Sequence, residues 1–287
     1  MKKKYNFILI LFLILSTCLI IFYNIKYKES FSNTSNNLIY YTHGFNNKYL
    51  NMLELSIKSL RYTGNNQDVV VICDEAFVNE CKNALKNYNN IFIHSVKNSK
   101  SAPEASMNKL KIFDYENINK YNKIFFIDSD IIIHTNLDNI FNNITEDNLI
   151  YVKRESLKME DHKNIYWSLQ LYTEEQLDNF KRDNTFIFNA GQFGFKNSEQ
   201  MKAHFNNINN LIKNHKGESF YEQSFMNHYF NLNKLKNDDI LDNNVRLFPD
   251  NDIIYENKLI HFCGIGEGNP KYDRMLNYFN KFIVSSN

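Results

Sequence analysis

Proline and glycine are scarce in this 287-residue chain, at 3 and 8 residues, while asparagine is abundant. That imbalance reads as the nucleotide bias of an A/T-rich genome and excludes nothing functional. Cysteine is nearly as rare. Cys18, Cys73, Cys81 and Cys263 are too few for a disulfide framework in a chain this long, and no C-x-x-C pair offers a zinc site. A Cys73 to Cys81 bridge fits an oxidising compartment, and free, semi-buried thiols fit equally well. Net charge is missing too: 33 basic residues against 32 acidic ones leave +1, and no basic stripe tracks a phosphate backbone. Nucleic acid is therefore not an expected partner. There is no internal repeat and no long low-complexity tract. What remains, 43% hydrophobic and 23% charged, is the composition of a globular protein of one large domain or two small ones.

Charge is absent altogether from residues 5 to 25, YNFILILFLILSTCLIIFYNI. About 20 such residues span a bilayer core as a helix. A retained transmembrane anchor is the expectation. A cleaved secretory signal, with its shorter apolar centre, and a lipoprotein reading of LSTC with Cys18 as the lipid anchor are the alternatives. Lys2, Lys3 and Lys4 precede the segment and Lys26 and Lys28 follow it, a slight bias toward a cytoplasmic N-terminus. The expected layout is a cytoplasmic tip and anchor over 1–25, a polar stem over 26–37 and a folded domain over 38–287. That layout is the one expected of a single-pass type II membrane protein whose domain is lumenal or extracytoplasmic, Golgi- or ER-like if the origin is eukaryotic or viral. The sequons at Asn33 and Asn143 matter only on that side.

From Leu38 onward, apolar runs of strand length alternate with segments of helical period. LIYYT (38–42) precedes YLNMLELSIKSLRYT, DVVVIC (68–73) precedes FVNECKNALKNY, IFIHSV (91–96) precedes ASMNKLKIFDYENI, and KIFFID (123–128) follows. Leu50, Leu53, Ile57 and Leu60 mark one helical face. Such alternation predicts an α/β fold with a mostly parallel central sheet flanked by helices. Further strands are expected at 149–153, 185–195, 245–249 and 258–262, and helices around 173–181, 198–213 and 221–232. The charged stretch 154–184, with Trp167, reads as an elaboration that carries specificity.

Within KIFFIDSDIII, Asp128 and Asp130 interrupt the most apolar soluble segment. Burying ionised carboxylates is costly unless they are paired or bind a metal. At a strand end of an open α/β sheet they stand where ligands bind. Two aspartates one residue apart can hold a hard divalent cation and leave positions open for a phosphate. A calcium hand does not fit, since Ile132 and Ile133 occupy its fifth and sixth positions. LIHFCGIGEG (259–268) ends a strand on His261 and follows with Gly264, Gly266 and Gly268. An imidazole suits manganese, and glycine amides approach a diphosphate closely; a satisfied core histidine before a turn is the bland alternative. A dinucleotide fingerprint fails at Asn269.

The order NKLKIFDYENINKYNKIFFIDSDIIIHTNLDNIF, FIFNAGQFGFKNS, YEQSFMNHYF and LIHFCG resembles the retaining glycosyltransferases of the GT-A fold, closest to family 8 and its glycogenin-like members, over roughly residues 38 to 275. The resemblance implies a GT-A, Rossmann-like domain that moves a sugar from a nucleotide sugar, UDP-linked, to a glycan or glycoprotein acceptor with retention. It implies Mn2+ or Mg2+ on Asp128, Asp130 and His261, with Ser129 between the carboxylates at the donor. Thr42 and Tyr49 would hold the base, Lys109 would contact the donor, and Asn189, Ala190 and Gly191 would form the loop under the sugar. Glu222 and Gln223 take the place of an Asp-Gln pair, one methylene longer at the first position. Asn189, Glu222 and Gln223 would act nearest the reacting carbon, and Gly264 and Gly266 near the diphosphate. Glu267 stands where the family has a lysine, so Lys271 is the candidate replacement for that charge.

Two other classes fit parts of the pattern. A metal-dependent nucleotidyltransferase would use the same sheet and aspartates but needs a basic, glycine-rich loop after the first strand, which THGFNNKYL lacks. A non-catalytic, anchored lectin-like protein of the same fold is favoured only by Glu267.

Overall fold

The computed structural model describes residues 36–158, 171–215, 221–264 and 269–285. The chain divides into two units, Met1–Asn36 and Asn37–Asn287, and every element below lies in the second. The expected anchor at 5–25 and nearly all of the stem lie outside the described residues, as do Asn33 and Trp167. No helix among the described residues is long and apolar enough to cross a membrane.

The first half alternates as expected: β1 (Asn37–His43), α1 (Leu50–Tyr62), β2 (Asp68–Asp74), α2 (Val78–Leu85), β3 (Ile91–Val96), α3 (Ala102–Ser106) and β4 (Lys123–Ile127). β1, β2, β3 and β4 are mutually parallel in the order β3-β2-β1-β4. After β5 (Ile131–His134) and α4 (Asp138–Asn143) come β6 (Ile150–Lys158), α5 (Glu174–Arg182), β7 (Phe186–Lys196), α6 (Glu199–Asn214), α7 (Glu222–Leu232), β8 (Lys236–Asn237), α8 (Asp239–Asn244), β9 (Val245–Leu247), β10 (Lys258–His261) and α9 (Asn269–Tyr278). β7 joins β4 antiparallel, and β6 and β8 extend the large sheet beyond it.

The continuous apolar runs follow from burial on both faces of the sheet. Along β4, Ile124 and Phe126 join Tyr40, Ile72, Phe205 and Phe230 in one core, while Phe125 and Ile127 join Tyr41, Val71, Ile57 and Leu85 in another. Helices α6 and α7 cover the first face; α1, α2 and α4 cover the second. A third core sits on the other side of α1, where Met52 and Leu55 meet Ile132, Ile260, Phe262 and Tyr278.

The structure adds to or changes the reading at three places. The triple isoleucine after Asp130, outside the expected strands, forms β5 in a second sheet of order β5-β10-β9, antiparallel to β10, with Ile131 opposite His261. The polar Asp-Ser-Asp turns the chain between the two sheets. The expected helix ASMNKLKIFDYENI divides into α3, capped by Ser101 with Pro103 in its first turn, and a 3-10 segment over Met107–Asp114. Within the stretch 154–184, β6 continues past its expected end to Lys158, while the helix expected around 173–181 is α5, Glu174–Arg182. Cys73 and Cys81 are buried free thiols with their sulfurs 3.5 Å apart.

Candidate active site

The turn between the sheets is fixed from both sides. Asp128 N–H donates to the Gly191 carbonyl of β7 at 2.7 Å, and the Asp130 carbonyl accepts Phe262 N–H at 3.0 Å, one residue beyond the end of β10. This brings Asp128, Asp130 and His261 together, each with a ligand atom within 4.8 Å of the others. His261 Nε2 and Asp130 Oδ1 stand 3.1 Å apart, yet Asp130 Oδ1 and His261 Nδ1 are buried without a hydrogen-bond partner. Together with Asp128 these groups border one point. Gly191 keeps that point open: a Cβ there would lie 2.3 Å from His261 Cε1 and 2.9 Å from Asp128 Oδ2. Two carboxylates and one imidazole make a donor set suited to Mn2+ and tolerable for Mg2+.

The β6/β7 pairing explains how β7 reaches this turn. Val152 pairs with Phe193 but Lys153 pairs with Asn189, so Ala190, Gly191 and Gln192 bulge out of register. Bulges of this kind free backbone groups and re-aim side chains. Here the freed groups find site partners. Ala190 N–H donates to Gln223 Oε1 at 2.8 Å, Gly191 N–H donates to Asn189 Oδ1 at 2.9 Å, and the Ala190 carbonyl accepts Lys109 Nζ at 3.2 Å. Asn227 of α7 holds Phe188 of β7 by both its N–H and its carbonyl, each at 2.9 Å, and so fixes the helix that begins at Glu222 against the bulge.

Burial alone would raise the Asp130 carboxyl, but His261 and the Lys271 ammonium, 2.7 Å away, outweigh it and hold the group well below the usual carboxylate range. Asp128 goes the other way. Its burial outweighs the help of Lys109, Asp130 adds repulsion, and the group rises to about 6. Lys109, 6% exposed, spends all three protons inside the protein: on Asp128 at 3.1 Å, on Glu222 at 2.5 Å and on the Ala190 carbonyl. Burial would lower its pKa, but the two carboxylates raise it, and its ammonium also lies 4.8 Å over the Phe126 ring. The expected donor contact is therefore chiefly an internal cation. Lys271, by contrast, is half-buried and bonds Asp130 Oδ2 at 2.7 Å.

A cavity of about 380 Å³ lies over these groups. Thr42, Tyr49, Ser129, Asn189, Gly191, Glu222, Gln223 and Gly264 line it with the three candidate ligands, Lys109 and Lys271. Ala190 contributes through its backbone, and Gly266 and Glu267 lie outside the described residues. The sequence reading missed Asp74, 1% exposed, which accepts Phe45 N–H, Ser99 N–H and Oγ and Asn108 Nδ2, and thereby shapes the His43-Gly44-Phe45 rim. Its signal was a carboxylate closing the run DVVVICD, the same pattern that singled out Asp128. It also missed Glu155, 8% exposed, whose Oε1 accepts Asn189 Nδ2 at 2.9 Å across the β6/β7 pair. No signal in VKRESLK separated that glutamate from a surface one.

A parallel β3-β2-β1-β4 sheet joined to antiparallel β7, with a carboxylate pair at the turn after β4, is an α/β, Rossmann-like fold of GT-A type. Solved structures share this fold. LgtC, a galactosyltransferase crystallised with donor and acceptor sugar analogues, matches at 13% identity over 86% of this chain and 96% of its own, with a TM-score of 0.61. The bifunctional glycosyltransferase WbbM matches at 15% identity over 88% of this chain and 52% of its own, TM-score 0.57. GlyE of Streptococcus pneumoniae TIGR4 matches at 12% identity over 88% of this chain and 63% of its own, TM-score 0.53. This chain thus spans about half the length of WbbM. Residues 57–230 match the Rhodobacterales glycosyltransferase domain, and the chain belongs to that family. No curated protein matches it in sequence.

Proposed function

We propose that the chain is a divalent-metal-dependent glycosyltransferase, related to family 8, that moves a hexose or pentose from a UDP-sugar to a glycan or glycoprotein with retention of anomeric configuration. One observation carries the reading: Asp128, Asp130 and His261 converge on a point that Gly191 leaves open. Asp128, Asp130 and His261 would hold Mn2+ or Mg2+, which when bound supplies positive charge to the departing diphosphate. In the transfer, the bond from the anomeric carbon to the diphosphate oxygen breaks, the acceptor oxygen forms the new bond, and its proton leaves with the diphosphate.

The chain's own residues prepare that exchange. Lys109 keeps Asp128 and Glu222 in place and partly neutralised, so neither repels the donor fully. Gln223, its Oε1 committed to Ala190 N–H, is left with its amide N–H groups to donate in the cavity that it lines. Asn189 links Glu155 to the Gly191 amide and sets the floor beneath the sugar. Thr42 and Tyr49, which line the same cavity, take the base. Lys271 supplies the positive charge that Glu267 does not, beside Asp130. The apolar segment 5–25 anchors the domain on the extracytoplasmic face.

The test is UDP release from UDP-sugars by the full-length chain with Mn2+. Asp128→Asn and Asp130→Asn should each lower release about 100-fold, as expected for losing charge stabilisation of the leaving group. Release unchanged in both variants overturns the assignment.

A further inference from the structure

A second cavity, of about 710 Å³, is lined by residues of β6, β9 and their neighbours, and nothing in the donor reading uses it. It shares a wall with the donor cavity at three places. Glu155, in the second cavity, bonds Asn189, in the first. Leu247 of β9 pairs with His261 of β10. Phe248 N–H donates to the His261 carbonyl at 3.2 Å, and its ring lies so close to Gly264 that a Cβ there would stand 2.8 Å from Phe248 Cε1.

The chemistry of this cavity is unlike that of its neighbour. Four cations, Lys153, Arg154, Arg246 and Lys258, face two carboxylates, Glu155 and Asp242. Asp242 serves both Lys153, at 3.2 Å, and Arg154, at 2.6 Å. Among the described residues, Lys258 bonds the Asn243 carbonyl. Arg246 lies 5.1 Å over the Tyr255 ring, and among the described residues no carboxylate pairs with it. A stacked guanidinium with its donors uncommitted is suited to bidentate capture of a carboxylate or phosphate. Phe248 adds a second observation: it is 53% exposed and held at φ +49°, a left-handed conformation that costs a bulky residue free energy. That conformation presents an aromatic face at the cavity rim, the kind of surface on which a sugar ring packs.

We propose that this cavity is the acceptor subsite and that the acceptor is an acidic saccharide, one bearing a carboxylate or phosphate group. The proposal rests on the glycosyltransferase reading, since it is contact with the donor cavity through Glu155 and Asn189 that makes the second cavity an acceptor site. A phosphorylated and a carboxylated sugar share the recognition chemistry, and the experiment separates them.

The full-length chain in detergent is titrated by calorimetry with a hexuronate-terminated disaccharide, its 6-phosphohexose counterpart and the neutral hexose disaccharide, with UDP and Mn2+ titrated in parallel. The tighter of the two acidic probes identifies the anionic group, and it should bind about tenfold more tightly than the neutral one. Arg246→Gln should remove most of that advantage and leave UDP binding as in the wild type. Phe248→Ala should weaken acidic and neutral probes alike. Equal binding of all three probes, or an advantage that survives Arg246→Gln, overturns the acceptor assignment while UDP binding leaves the transferase reading in place. Absence of UDP binding, with the charge preference intact, overturns the transferase reading and leaves an acid-selective saccharide cavity.

Discussion

Lys109 and Asp128 show how single side chains set the state of this site. With Glu222 at 2.5 Å and Asp128 at 3.1 Å, the buried Lys109 ammonium is the sole cation that both carboxylates share at hydrogen-bond distance among the described residues. Lys109→Met leaves two half-buried or buried carboxylates without it and should destabilise the fold by about 3–5 kcal/mol in denaturant titrations, part of which Glu222→Gln in the same chain recovers. Asp128 sets the pH response. Burial raises its carboxyl to about 6 in the ion-free protein, so below that pH a proton occupies the ligand oxygen and a cation has to displace it. Manganese affinity should fall at least about tenfold for each unit below pH 6, because a proton on Asp128 competes with the ion, which calorimetry from pH 7 to pH 5 would reveal. A flat profile would mean that Asp128 is not a ligand.

At the scale of elements, the site depends on the β7 bulge and on the helix tied to it. Gly191→Ala drives a methyl group against the His261 ring and the Asp128 carboxylate and should weaken manganese binding at least about tenfold, read as lost thermal stabilisation by Mn2+. Asn227→Ala breaks both bonds to Phe188 and should cost about 1–3 kcal/mol while lowering UDP release more than UDP binding, because α7 carries Glu222 and Gln223. The bulge marks the limit of what the sequence discloses. Strands β1, β2 and β4 were legible as apolar runs because both their faces are buried, and Asp128, Asp130 and His261 were legible as polar residues at the ends of such runs. The β6/β7 register shift was not, since FIFNAGQFGF reads as one unbroken strand and only pairing with Val152 and Lys153 shows which residues leave the ladder. The same holds for β5: IIIH carries no sign that it pairs with β10 in another sheet. Glu155 and Asp74 acquire meaning only from partners 34 and 34 or fewer residues away in sequence. Lys271, the candidate replacement for the family's lysine, gains its place beside Asp130 only when α9 folds back.

For the whole molecule, the large sheet supplies Asp128 and the bulge, the small sheet supplies His261, and the turn holding Asp130 joins them. A cation at their meeting point would tie the two sheets together, so metal binding and folding stability should be linked. The chain as a whole carries a further expectation from its first 25 residues: expressed full-length, it should stay with membranes through an alkaline carbonate wash and leave them in detergent, whereas release by the wash would contradict an anchor. The central claim is the cation itself. Titration of the full-length chain with Mn2+, followed by the loss of the free-ion electron paramagnetic resonance signal, should show a single saturable site in the wild type that is absent from Asp130→Asn and Asp128→Asn. Equal Mn2+ uptake by all three proteins would contradict it.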